Sequence, residues 1–205
     1  MDVATGWSER VAVLGRNQRA MQAGFRRILK RLPFPILQLH PNNGSEFFND
    51  HMIRFWGKHI VGLKLSRSWP YRKNDNRIVE QKNDTLVRAY LGYDRIDTPA
   101  QCAALNALYD QMWTYYNLFQ PVLHLVGKAV VDGRLKRRWD RACTPYDRVL
   151  DSGVLGSHQQ ALLAVTYTQP NPRRLRRQIY QDLERMWDHS YHQTNNRQLV
   201  GALAS

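Results

Sequence analysis

Between Asn17 and Leu32 the apolar residues Met21, Phe25, Ile28, Leu29 and Leu32 recur at helical spacing, with Arg19, Arg26, Arg27, Lys30 and Arg31 filling the other positions. Such a helix buries one stripe and keeps a basic one in water, and Pro33 and Pro35 stop it. The runs on either side are too short for helices. Glu9 to Leu14 alternates charged and apolar residues before settling into Val11, Val13 and Leu14, which reads as a strand with one covered face, ended by Gly15. Ile36, Leu37 and Leu39 read as a short buried strand that runs out at Pro41-Asn42-Asn43-Gly44. Ser45 caps the next expected helix, with Phe47, Phe48, His51, Met52, Phe55 and Trp56 on its apolar side and an end near Gly57 to His59. Ile60, Val61, Leu63 and Leu65 suggest another strand, and the prolines and asparagines between Arg67 and Arg77 an exposed loop. A helix over about Arg77 to Leu91, stopped by Gly92, and one from Pro99 to about Phe119 follow. Strands alternating with helices make the first 120 residues α/β.

Beyond Pro121 the character changes. Arg134, Lys136, Arg137, Arg138 and Arg141 gather around Trp139, and Arg173, Arg174, Arg176 and Arg177 around Leu175. The division expected is therefore 1–121 and a basic, mainly helical region over 122–205. The whole chain of 205 residues carries 30 Lys and Arg against 17 Asp and Glu, a net charge of +13. With 43% hydrophobic residues it has enough apolar material for a core, so the charge belongs to a folded protein and points to polyanions, nucleic acid first and acidic membrane surface second, rather than to acidic metabolites. Cys102 and Cys143 stand alone, which suits a cytoplasmic protein and indicates neither a disulfide framework nor a cysteine zinc site. No apolar stretch approaches the length needed to span a bilayer, and no export signal is visible at the N-terminus.

Two segments carry more specific information. His40-Pro41-Asn42-Asn43-Gly44-Ser45-Glu46-Phe47 and Tyr71-Arg72-Lys73-Asn74-Asp75-Asn76-Arg77-Ile78-Val79-Glu80-Gln81-Lys82-Asn83 resemble the hallmark segments of the integrase/transposase catalytic core. In that family they usually read H-x-D-N-G-S-E-F and V-E-Q-K-N and carry the second and third acids of a D-D-E triad. Asp2-Val3-Ala4-Thr5-Gly6-Trp7-Ser8-Glu9 is similar to the family's second strand and turn, and Leu91-Gly92-Tyr93-Asp94-Arg95 is typical after the Glu helix.

The resemblance implies a ribonuclease-H-like fold and DNA integration or transposition, with Mg²⁺ or Mn²⁺ assisting attack on a phosphodiester. It assigns catalytic and metal-binding positions to Asn42 and Glu80, and Arg72, Lys73, Arg77 and Lys82 surround the latter as candidate DNA contacts, joined by Lys136, Arg137 and Arg138. The chain departs from the pattern at Asn42, whose neutral amide is a poorer ligand for a hard dication than a carboxylate. The first acid, on a strand that precedes the region resembling Asp2, has no counterpart, so an N-terminally truncated core with exposed sheet edges is expected. Such a chain has impaired strand transfer, and its partners would be DNA and an upstream fragment or full-length transposase, with self-association compatible and no membrane. The competing reading is a DNA-binding remnant or regulator without catalysis.

Overall fold

The computed structural model describes residues 1–41, 47, 49–66, 81, 83–93 and 96–203, with the side chains of Leu86 and of 188–203 left aside. Helices and strands are mixed, and the chain forms two compact units: Val11–Asn106 with Gln181–Ser205, and Met1–Arg10 with Ala107–Tyr180.

In the first unit, helix α1 spans Gln18–Arg31, and the Asn17 side chain caps it by accepting the Ala20 N–H at 2.9 Å. Strand β1 (Gln38–Leu39) leads to helix α2 (Asp50–His59) and then to β2 (Lys64–Leu65), which pairs parallel with β1, Gln38 opposite Lys64. Parallel neighbours require a crossover, and α2 supplies it. Met52, Phe55, Trp56 and Ile60 form the buried centre here, against Met21, Phe25 and Leu29 of α1 and Ile36, Leu39 and Leu63 around the strands. The Phe25 ring meets that of Trp56 edge to face, 5.5 Å between centroids. Helix α3 includes a π-helical turn, Asp84–Arg88, continues as Ala89–Leu91, and ends at Gly92, whose φ of +60° suits a residue without Cβ.

Helix α4 runs over Pro99–Thr114 and closes with a π-helical turn, Tyr115–Phe119. Thr98 and Gln101 cap its start reciprocally: the Thr98 hydroxyl oxygen accepts the Gln101 N–H at 3.2 Å, and the Gln101 Oε1 accepts the Thr98 N–H at 3.1 Å. The second unit adds the antiparallel hairpin β3 (Leu125–Val131) and β4 (Arg134–Trp139), then α5 (Pro145–Asp151), α6 (Ser157–Thr168) and the beginning of α7 (Pro172–Leu203). Its core holds Trp7, Leu108, Met112, Leu118, Tyr146, Val149 and Ile179. None of the helices, over the described residues, is long and apolar enough to cross a membrane.

Four sequence expectations change. Glu9 to Leu14 forms no strand and lies in no sheet, and Leu14 falls in a bend. Helix side chains take the role of a neighbouring strand: Asn117 accepts the Ser8 N–H at 2.8 Å and donates to the Ser8 carbonyl at 3.0 Å. In the other unit Asn106 accepts the Ala12 N–H at 3.1 Å and donates to its carbonyl at 2.9 Å. The covered side of Val11 and Val13 rests on α1 at Gly24, where an added Cβ would come within 2.9 Å of Val13 Cγ1.

Asp2 to Trp7 is a tight turn rather than a strand. The Asp2 N–H donates to the Trp7 carbonyl at 2.7 Å, Asp2 Oδ2 accepts the Thr5 N–H at 2.8 Å, and Gly6 sits at φ +80°. Strands β1 and β2 have only two residues each, which leaves Leu37 and Val61 exposed instead of buried. Among the described residues this pair has no further strand on either side. Finally, the region after Pro121 opens with a hairpin rather than a helix, because Asp132 and Gly133, both at positive φ, close a two-residue turn between alternating runs. The helix begun by Ser45 is capped at Asn49, which accepts the Met52 N–H at 3.0 Å; Ser45 itself lies outside the described residues.

Candidate nucleic-acid interface

The β3–β4 hairpin concentrates five cations, Lys128, Arg134, Lys136, Arg137 and Arg138, against one carboxylate, Asp132. Every residue of β4 is exposed. Strand alternation puts Arg134, Lys136 and Arg138 on one face, opposite Val131, Ala129 and Gly127, so that the cations stand beside small or apolar neighbours. The other face pairs Arg137 directly with Lys128. Like charges opposite each other destabilise a hairpin, and a polyanion lying across them removes that cost. A two-stranded ribbon also has the width that a duplex groove admits.

The base of the hairpin is held by Arg148 of α5. Its guanidinium donates to Asp140 Oδ2 at 2.7 Å, to the Val122 carbonyl at 3.0 Å and to the Arg141 carbonyl at 3.1 Å, while Asp140 Oδ1 accepts the His124 N–H at 2.7 Å. Hydrogen bonds first from Arg148 and then from the His124 backbone hold the Asp140 carboxyl below its ordinary pKa. With the folded value depressed, this clasp is fully present above the unfolded carboxylate value and is lost as pH falls through the folded one. We therefore expect the His124 amide to stay protected from hydrogen exchange down to a pH below the usual aspartate range, and Asp140→Asn to abolish both the protection and its acid transition.

Helix α7 opens with Arg173, Arg174, Arg176 and Arg177, all exposed, and has no acid in its first turn. Asn171 accepts the N–H groups of Arg173 and Arg174 at 3.0 and 3.2 Å. Cations at the positive end of a helix oppose its dipole, so this cluster too is eased by an anionic partner.

Of the positions singled out in the sequence, Lys136, Arg137 and Arg138 are together on β4, with Arg137 on the opposite face from the other two. Asn42, Glu80, Arg72, Lys73, Arg77 and Lys82 lie outside the described residues. Lys128 was missed, although the Asp132-Gly133 turn between alternating runs marks the hairpin and thereby its opposition to Arg137.

Asn42 and Glu80 together supply one carboxylate and one amide. Paired dications need several anionic oxygens, so this donor set does not fit them. Among the described residues no three His, Cys, Asp or Glu side chains gather as a metal site.

Comparison with known proteins finds a relative in Sinorhizobium fredii, "Uncharacterized protein y4rM", 37% identical over 147 residues. The match covers 72% of this chain and 41% of the relative, so the chain spans about two fifths of the length of the protein it matches. No protein-family profile matches the chain, and no solved structure does so significantly.

Proposed function

We propose that this chain is the DNA-binding portion of an integrase/transposase-type protein, gripping the phosphate backbone without carrying out phosphodiester chemistry by itself. The observation that carries the reading is the β3–β4 hairpin, an exposed ribbon with five cations and a like-charge pair that a polyanion would relieve. The His40 to Phe47 and Tyr71 to Asn83 segments support the family assignment, and the parallel β1–α2–β2 unit is of the kind a ribonuclease-H-like sheet contains. Contacts of this type go to phosphate and fix register on the duplex without reading its sequence.

The test is binding of the whole chain to duplexes of unrelated sequence in EDTA. Affinity is expected to be similar across sequences and to fall steeply with salt. Absence of binding at low salt overturns the reading.

Catalysis by the chain itself is a second reading, favoured by Glu80 within Val79-Glu80-Gln81-Lys82-Asn83. On the donor-set argument the unmodified chain shows no strand transfer in Mg²⁺ or Mn²⁺. Asn42→Asp raises divalent-ion affinity, measured by Mn²⁺ titration, without restoring transfer. Robust metal-dependent cleavage by the unmodified chain would refute the non-catalytic assignment.

A further inference from the structure

Helices α1 and α2 flank a shallow, open cleft of about 410 Å³, made entirely within one unit and sharing no residue with the hairpin. Its lining includes Arg26 from α1 and His51, Arg54, Lys58 and His59 from α2, around the ring of Phe55, and among the described residues contains no carboxylate. Residues 51, 54, 55, 58 and 59 follow the spacing of one helical face, so α2 presents this side to the cleft while Met52 and Trp56 enter the core.

Two of the polar groups are already held in place. The Arg26 guanidinium lies 5.3 Å from the centroid of the Phe55 ring, which is itself buried. The His59 ring lies tilted by 30° against the same ring, 4.2 Å between centroids, and its Nδ1 is 2.8 Å from the Phe55 carbonyl. A carbonyl can only accept, so Nδ1 carries the proton and donates to it. Arg54 is steadied by donating from Nε to the Asp50 carbonyl at 3.2 Å, which leaves its terminal nitrogens for other partners. Lys58 stands one helical turn further on, about 6 Å along the axis.

We propose that this cleft is a binding site for phosphoryl groups, with Arg26, Arg54 and Lys58 converging on the oxyanions beside the two imidazoles. Guanidinium forks match phosphate geometry, and among the described residues of the lining there is no carboxylate to cancel their charge. The phosphoryl groups come either from a free oligophosphate or from a nucleic-acid backbone. The site stands independently of the hairpin's role.

The experiment is calorimetric titration of the full chain with inorganic tripolyphosphate, repeated on Arg54→Glu/Lys58→Glu and on the hairpin variant Lys136→Ala/Arg137→Ala/Arg138→Ala. All five positions are exposed, and unchanged thermal melting checks that both variants fold. We expect one site, affinity lowered at least about tenfold by the cleft variant and changed less than about twofold by the hairpin variant. Shifts of the His51 and His59 imidazole resonances on titration of the unmodified chain give a second readout. Duplex binding then separates the sources: a parallel loss in the cleft variant identifies nucleic-acid phosphate, whereas unchanged duplex binding identifies a free oligophosphate. Equal losses in both variants, no loss in the cleft variant, or unmoved imidazole resonances overturn the proposal.

Discussion

Replacing Lys136, Arg137 and Arg138 together by alanine lowers affinity for a duplex of about 30 base pairs by roughly two to three orders of magnitude near 0.1 M salt, because three neutralised phosphates release counterions with a logarithmic slope of about 0.9 each. The same argument fixes a second observable. A plot of log affinity against log salt becomes shallower by about 3 for the triple variant, and the loss is uniform across sequences, as it must be if these side chains touch only phosphate. Because all three residues are exposed, the fold is not at stake. Removing Arg137 also relieves its opposition to Lys128, so the hairpin should not unfold on that account. A slope unchanged by the triple substitution would place DNA binding elsewhere on the chain, with the first α7 turns, bearing Arg173, Arg174, Arg176 and Arg177, as the next surface to alter.

Asn117→Ala is expected to cost about 2–4 kcal/mol, because both backbone groups of Ser8 lose their partner inside the protein and each buried unpaired group costs about 1–3 kcal/mol. Asn117 is fully buried, and Ser8 is nearly so. For a chain of this size the loss lowers the melting temperature by roughly 5–15 °C. The Ser8 amide should become the first in its neighbourhood to exchange with solvent. Trp7 packs edge to face on Trp113, 5.5 Å between centroids, and both indoles donate to Glu9, so this turn remains tethered by its aromatic residues even when the amide is gone. Asn106→Ala, at a half-buried position, costs less. Melting of the Asn117 variant at the unmodified temperature would show that water replaces the amide and that the side chain is not the segment's anchor.

The two asparagines also explain where sequence reading stopped. Alternation in Glu9 to Leu14 suggested a strand with one side covered, whereas the segment joins no sheet and leaves Val13 and Leu14 exposed. Alternation says nothing about what satisfies the backbone groups, and a helix amide does so as well as a neighbouring strand does. Nothing local tied Asn106 to Ala12 or Asn117 to Ser8. The hairpin is the opposite case. Asp132-Gly133 between alternating runs is a local signal, legible without the structure, but the arginines around Trp139 drew attention to charge instead of to period.

Local chemistry in the sequence determined the helix boundaries at Asn17, Pro33, Gly92 and Thr98, the basic character, and the two segments that resemble an integrase core. Each depends on residues within a few positions of one another, where caps, turns and periodicity act. Tertiary structure alone decided that the N-terminal segment is anchored by helix amides, that Lys128 faces Arg137, and that Arg26 joins Arg54 and Lys58 around one cleft. Those pairings join residues far apart in the chain, and they become definite only when packing fixes which faces meet.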